Sequence, residues 1–218
     1  MQKLKLELKE DQKLWFTGCT HFGHTNIAGP DISSWDGGYR NFDSVEAMDK
    51  VLIEGINNHV KKDDILIHLG DFSFKSHKLI PSYRNSLNVE TIHLLLGNHD
   101  GKVPMYASSF TSIQDKMELE VIYFYKEQKR TIHIVCGHYP ELSWLGSGKG
   151  YWMLHSHCHN APAIRELNTK CKRFEASMDH AYFLVGEYRP FELRELVAIQ
   201  DRKDVEMLDH HGFNTNVH

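Results

Sequence analysis

A chain of 218 residues, 41% hydrophobic and 25% charged, has the size and make-up of one globular domain, so a single unit over residues 1–218 is expected. No apolar run approaches the roughly 18 residues of a membrane span, and a net charge of −4 without a long Lys/Arg block gives no sign of a dedicated surface for duplex nucleic acid. Four cysteines, Cys19, Cys136, Cys158 and Cys171, lack the density of a secreted disulfide framework, and the opening MQKLKLELKEDQKLWF alternates Lys and Leu where a leader would carry a basic stretch and an apolar block, so a cytoplasmic protein is expected.

In chain order, residues 14–17 are a short apolar run stopped at Gly18 and followed by a loop rich in Gly, His and Asn (19–29); strand, then functional loop, is the reading. In DSVEAMDKVLIEGINNHV, Asp43 stands as N-cap with Glu46 three residues on, and Val45, Met48, Leu52, Ile53 and Ile56 recur at helical spacing, which predicts a helix. Residues 65–69 and 91–96 read as buried strands, stopped by Gly70-Asp71 and by Gly97-Asn98-His99-Asp100, with a short helix over 76–86 between them that Pro81 complicates. Residues 121–125 and 131–136 flank the polar connection 126–130, a pattern suited to a hairpin whose second strand ends at Gly137-His138. A further strand over 151–154 ends in His155-Ser156-His157-Cys158-His159. From Phe174 onward two or three short strands and a polar helix are expected, and the last ten residues, with His210, His211 and His218, are expected to fray.

The one abnormal count is histidine, 16 in 218. Repeatedly an apolar strand ends in a loop with metal-competent side chains: Cys19 and His21, Asp71, Asn98 with His99 and Asp100, His138, then His157 and His159. Sites at the carboxyl ends of strands are how α/β proteins are built. Imidazole, carboxylate and amide oxygen together suit Mn, Fe or Zn better than Mg or Ca. In Cys19-x-His21 and His157-x-His159, alternate residues of an extended segment would point to one side and face one cluster. His68, His77, His93, His133, His180 and His210 are given no role, and Cys136 and Cys158 read as buried thiols. His155 shares the alternation without being needed, and Trp144, Tyr151 and Trp152 are open between a shelf over the site and core packing.

These blocks, in this order, resemble the calcineurin-like metallophosphoesterase family, whose signature runs Asp-x-His, Gly-Asp, Gly-Asn-His-Asp or Glu, His, then Gly-His-x-His. Gly70-Asp71 and Gly97-Asn98-His99-Asp100 match unchanged, His138 in CGHYP fills the single-histidine block, and Ser156-His157-Cys158-His159 fills the last with Ser for Gly. The loop from Thr20 to His24 and the tail FEASMDHAYFLVGEYRPFELREL resemble the small bacterial and phage-type members. The resemblance implies an α/β fold, a two-sheet β-sandwich flanked by helices. It also implies two transition-metal ions bridged by Asp71, with Cys19, His21 and His159 on the first and Asn98, His138 and His157 on the second. A metal-bridging hydroxide would then attack phosphorus in line. His99 would protonate the departing oxygen or bind the phosphate, with Asp100 orienting that ring, and His24 and Asn98 would line the phosphate pocket.

The departure is Cys19, which stands where the family has aspartate. A thiolate is a legitimate Zn or Fe ligand; inert packing and redox sensitivity are the competing readings. The expected activity is hydrolysis of a phosphodiester or another small phosphate ester, nucleotide-derived compounds included, with a diester favoured over a monoester. A regulatory metal-binding scaffold without turnover and a nuclease are the alternatives. A zinc-structured binding module would need closed Cys/His sites, against which Asp71 and Asn98 speak.

Overall fold

The computed structural model describes residues 2–29, 40–74 and 77–205. The expected fraying of the last ten residues, and Ser76 at the start of the expected short helix, lie outside them. Along the chain run β1 (Gln2–Glu7), β2 (Leu14–Thr17), α1 (Thr25–Ala28), α2 (Val45–His59), β3 (Ile65–His68), α3 (Ile80–Asn85), β4 (Thr91–Leu95), β5 (Ser112–Gln114), β6 (Lys116–Tyr125) and β7 (Gln128–Gly137). Then follow β8 (Trp152–His155), α4 (Pro162–Thr169), β9 (Arg173–Glu175), α5 (Met178–Val185), β10 (Phe191–Glu192) and α6 (Leu193–Gln200).

Two five-stranded sheets result, one in the order β1-β6-β7-β8-β9 and the other β10-β2-β3-β4-β5. In the second sheet β2, β3, β4 and β5 are parallel neighbours. Strand periodicity distributes the side chains. Leu14 and Phe16 point between the sheets, where they meet Ile67, Leu119, Val121, Ile134 and Leu154. Trp15 and Leu66 point the other way, under Met48, Leu52 and Ile56 of α2. This is the expected two-sheet α/β sandwich with helices outside. The outer face of the first sheet is covered by Trp144 and Tyr151 packed on Val135, Met153 and Cys171, while Trp152 joins the core between the sheets. Core packing is therefore the answer for all three aromatics.

Two local readings are corrected, and one strand is added. The N-cap of α2 is Ser44, whose Oγ accepts from the Ala47 N–H at 3.0 Å, one residue after the expected Asp43; both types cap well, so composition could not choose. The N-terminal Lys/Leu alternation is a strand, β1, paired in parallel with β6; its period of two is the strand signal itself. The β6–β7 connection is shorter than residues 126–130, because Tyr125 already pairs with Gln128. Lys126 and Glu127 alone turn the chain, at φ 49° and 62°, the left-handed pair that a two-residue hairpin requires. Since Asn-Gly adopts that pair with less strain, replacing Lys126-Glu127 by Asn-Gly is expected to stabilise the protein by about 1 kcal/mol, read as a higher midpoint of chemical denaturation.

Candidate metal centre

The parallel β2–β3 ladder runs on past the strand ends, with Cys19 N–H donating to Gly70 O (2.8 Å), His21 N–H to Asp71 O (2.9 Å) and Phe22 N–H to Phe72 O (3.0 Å). The loops that carry Cys19, His21 and Asp71 thus lie side by side. Convergence is not achieved by extended alternation as expected. Cys19, His21, Asp71, His157 and His159 all sit at positive φ, between 46° and 68°, so tight left-handed turns aim these side chains inward. Such backbone is uncommon outside Gly and collects at functional sites. The glycines set the spacing: a Cβ on Gly97 would lie 2.2 Å from Asp71 Oδ1, and one on Gly70 would lie 2.6 Å from His138 Nδ1.

Two groups of ligand atoms meet at one carboxylate oxygen. On one side His21 Nε2 is 3.1 Å from His159 Nε2 and 3.5 Å from Asp71 Oδ2. On the other His138 Nε2 is 3.0 Å from Asn98 Oδ1, 3.2 Å from His157 Nδ1 and 3.3 Å from the same Asp71 Oδ2. The Cys19 sulfur falls within 4.8 Å of ligand atoms of His21 and His159, and of Asp71 and His138. It also accepts the His157 N–H at 3.2 Å. All seven expected ligands are brought together.

The donor set fits cations. His138 Nδ1 lies 2.8 Å from Leu69 O, and since a carbonyl only accepts, that nitrogen holds the proton and Nε2 offers a lone pair. Nε2 then faces two further acceptors, Asn98 Oδ1 and Asp71 Oδ2, with no proton to share. Contacts of 3.0–3.5 Å match the edges of a coordination shell, since metal–nitrogen bonds of about 2.0–2.1 Å place tetrahedral ligands about 3.3 Å apart. Charge agrees. Burial alone would raise the Asp71 carboxyl, but the closeness of His138 and His21 holds it well below the usual carboxylate range. Burial pushes His159 down, yet Cys19 and Asp179 outweigh it and hold it well above the usual imidazole range. The pocket calls for positive charge.

The second layer contains what the sequence did not reveal. His159 Nδ1 donates to Asp179 Oδ2 at 2.8 Å, and Arg40, with its charged end fully buried, grips Asp179 through Nε at 2.9 Å and a terminal nitrogen at 2.8 Å. Arg40 also donates to the carbonyls of Cys19 and Thr20, so one cation fixes both the Cys19 turn and the carboxylate that orients His159. Beneath that loop Glu175 accepts from Asn160 N–H and Ser177 Oγ; its other oxygen is buried without a partner, and burial brings its pKa up to about 7. His68 Nε2 donates to Thr20 Oγ1, which donates to Phe72 O; burial lowers the His68 pKa to about 3, so it is a neutral brace between loops.

Asp100 differs from expectation. Its carboxylate accepts from the N–H groups of Asp71 (2.6 Å), Phe72 (2.9 Å) and Gly97 (2.9 Å). These contacts make it the clamp between two ligand loops and leave no geometry for orienting the His99 ring. His99 itself is exposed, its N–H donating to Asp71 Oδ1 at 2.9 Å and its ring centroid 5.3 Å from that of His21. His24 is buried beside it with Nδ1 unpartnered; burial, then His99, bring its pKa down to about 4. His155 turns away, to Ser156 O and Asn168. Cys136 is buried, as expected, and Cys158 only half-buried.

Residues 12–215 match the family model described as calcineurin-like phosphoesterase. An uncharacterized protein of Methanocaldococcus jannaschii is 28% identical over 199 residues, covering 89% of this chain and 94% of its own. The crystal structure of a protein of unknown function from Aquifex aeolicus superposes with a TM-score of 0.59 at 20% identity, covering 87% of this chain and all of that one, which is likeness of fold. Because a carboxylate behind a ligand histidine typically sets metal affinity within a factor of about 10–100, Asp179→Asn is expected to weaken metal binding by that factor in competition with a fluorescent chelator.

Proposed function

The chain belongs to the calcineurin-like phosphoesterase family, and from that premise we propose that it hydrolyses a phosphodiester at two transition-metal ions held by Cys19, His21, Asp71, Asn98, His138, His157 and His159. The observation that carries this reading is Asp71 Oδ2, which lies 3.5 Å from His21 Nε2 and 3.3 Å from His138 Nε2, the position of a carboxylate shared by two cations. Cys19, His21 and His159 would hold the first ion, and Asn98, His138 and His157 the second. Bound there, the pair would supply Lewis acidity toward the phosphoryl oxygens and a more acidic water. The Cys19 thiolate favours Zn or Fe over Mn at the first position.

The remaining side chains serve the ester. His99 stands on the open side with its backbone anchored to Asp71 Oδ1, where its ring can hold a phosphoryl oxygen or pass a proton to the departing one. His24, neutral at pH 7, would line the pocket beside His99, and the Asn98 side-chain N–H₂ would be left for the ester if Oδ1, 3.0 Å from His138 Nε2, held the second ion. Asp100 acts by positioning. The substrate is small, a nucleotide-derived ester being within reach. The free cysteines support a reducing, cytoplasmic setting.

Protein purified without chelator is expected to carry two metal ions per chain by mass spectrometry and to hydrolyse bis-p-nitrophenyl phosphate faster than p-nitrophenyl phosphate. His99→Ala should keep both metals and lose about 10²–10⁴ in kcat. Two metals without turnover of any ester would make the protein a regulatory scaffold, and less than one metal would sink the ligand assignment. Cys19→Asp is expected to move the metal preference toward Mn; unchanged content and selectivity would remove Cys19 from the ligand set.

A further inference from the structure

Two large aromatic side chains stand in the open at the metal centre, Phe74 at 44% exposure and Tyr139 at 52%. Single exposed apolar residues are ordinary, but these two are placed against the site's own imidazoles, one beside each group of ligands. The Phe74 ring lies over His24, centroids 3.8 Å apart and planes 24° from parallel, and meets His99 edge-on at 4.8 Å. His24 and His99 in turn flank His21, the ligand of the first group. Tyr139 packs at 5.0 Å against His138 and at 4.6 Å against His157, two ligands of the second. A cavity of about 310 Å³ opens beside Phe74, lined by Gly23, His24, Thr25 and Asn26, of a size to take a ring.

An aromatic face kept wet costs apolar hydration that burial under a ligand would recover. The ester chemistry says which ligand. The two organic groups of a phosphodiester diverge from phosphorus, whereas a monoester has one. A phosphorus centred over Asp71 would send its two substituents toward opposite ends of the cluster, where Phe74 and Tyr139 stand.

Resting on the phosphoesterase reading, we propose that Phe74 and Tyr139 are two stacking platforms and that the substrate is a diester with a planar ring on each side of the phosphate. Phe74 takes the ring beside His24, and Tyr139 takes the ring beside His157. This sets the preference for a diester by shape, because a monoester leaves one platform wet.

The test reads binding, independent of turnover. Metal-loaded protein is titrated by calorimetry with diphenyl, methyl phenyl and dimethyl phosphate. Stacking of one ring on one aromatic side chain is worth about tenfold in affinity, so the series should weaken by about tenfold per ring removed. Phe74→Ala and Tyr139→Ala should each bring diphenyl phosphate down to the affinity of methyl phenyl phosphate, with metal content unchanged, while Tyr139→Phe keeps the wild-type value. Equal affinity across the series in the wild type would overturn the platforms, even if esters are hydrolysed. So would loss of metal in the alanine variants, which would make the rings packing for the ligands. A graded series in a protein that hydrolyses nothing would uphold the platforms and sink the hydrolase reading alone.

Discussion

One buried carboxylate holds the centre together. Asp100 accepts from three backbone N–H groups belonging to two loops, 71–72 and 97, and through them ties the end of β3 to the end of β4. Its burial raises its pKa, opposed by those same amides; a carboxylate taken out of water is tolerable only with such partners. With the loops fixed, Asp71 Oδ1 can anchor the His99 N–H and Oδ2 can stand between His21 and His138. The close approach across Gly70 and Gly97 exists because this clamp draws the two turns into contact.

Much of this was legible beforehand because it is local. Each ligand block follows an apolar strand and a turn, so Asp71, Asn98 and His138 could be read from strand-then-stop patterns, and the helix over 45–59 from its 3.6-residue period. The two-sheet sandwich came from the resemblance; alternation in β2 then explains why Leu14 and Phe16 enter one core and Trp15 the other. What periodicity left out was short or non-local. β9 and β10 have three and two residues, too few to show a period, and only their pairing with β8 and β2 makes them strands.

The same reason hid the second layer. Asp179 lies 20 residues from His159, and Arg40 lies 139 from Asp179; Arg40 follows no strand among the described residues, and Asp179 follows β9, itself too short to read from the sequence. Asp100 was visible but misread, since its neighbour in sequence is His99 while its partners in space are the backbone N–H of Gly97 and two more, 28 and 29 residues earlier. Nearness along the chain says which residues share a loop. It does not say which way a carboxylate faces when several amides compete for it.

Five of the residues expected to hold metal sit at positive φ, with a consequence beyond catalysis. Left-handed backbone costs an L-residue roughly 1–2 kcal/mol, less for Asp and His than for others, so the five turns together approach on the order of 5 kcal/mol. That is comparable with the whole net stability of many domains. Cations that bind only the folded chain would offset it by mass action. Freshly made polypeptide would then mature in step with transition-metal supply, and scarcity would reach the enzyme first as faster clearance by cellular quality control, before any slowing of each molecule's chemistry.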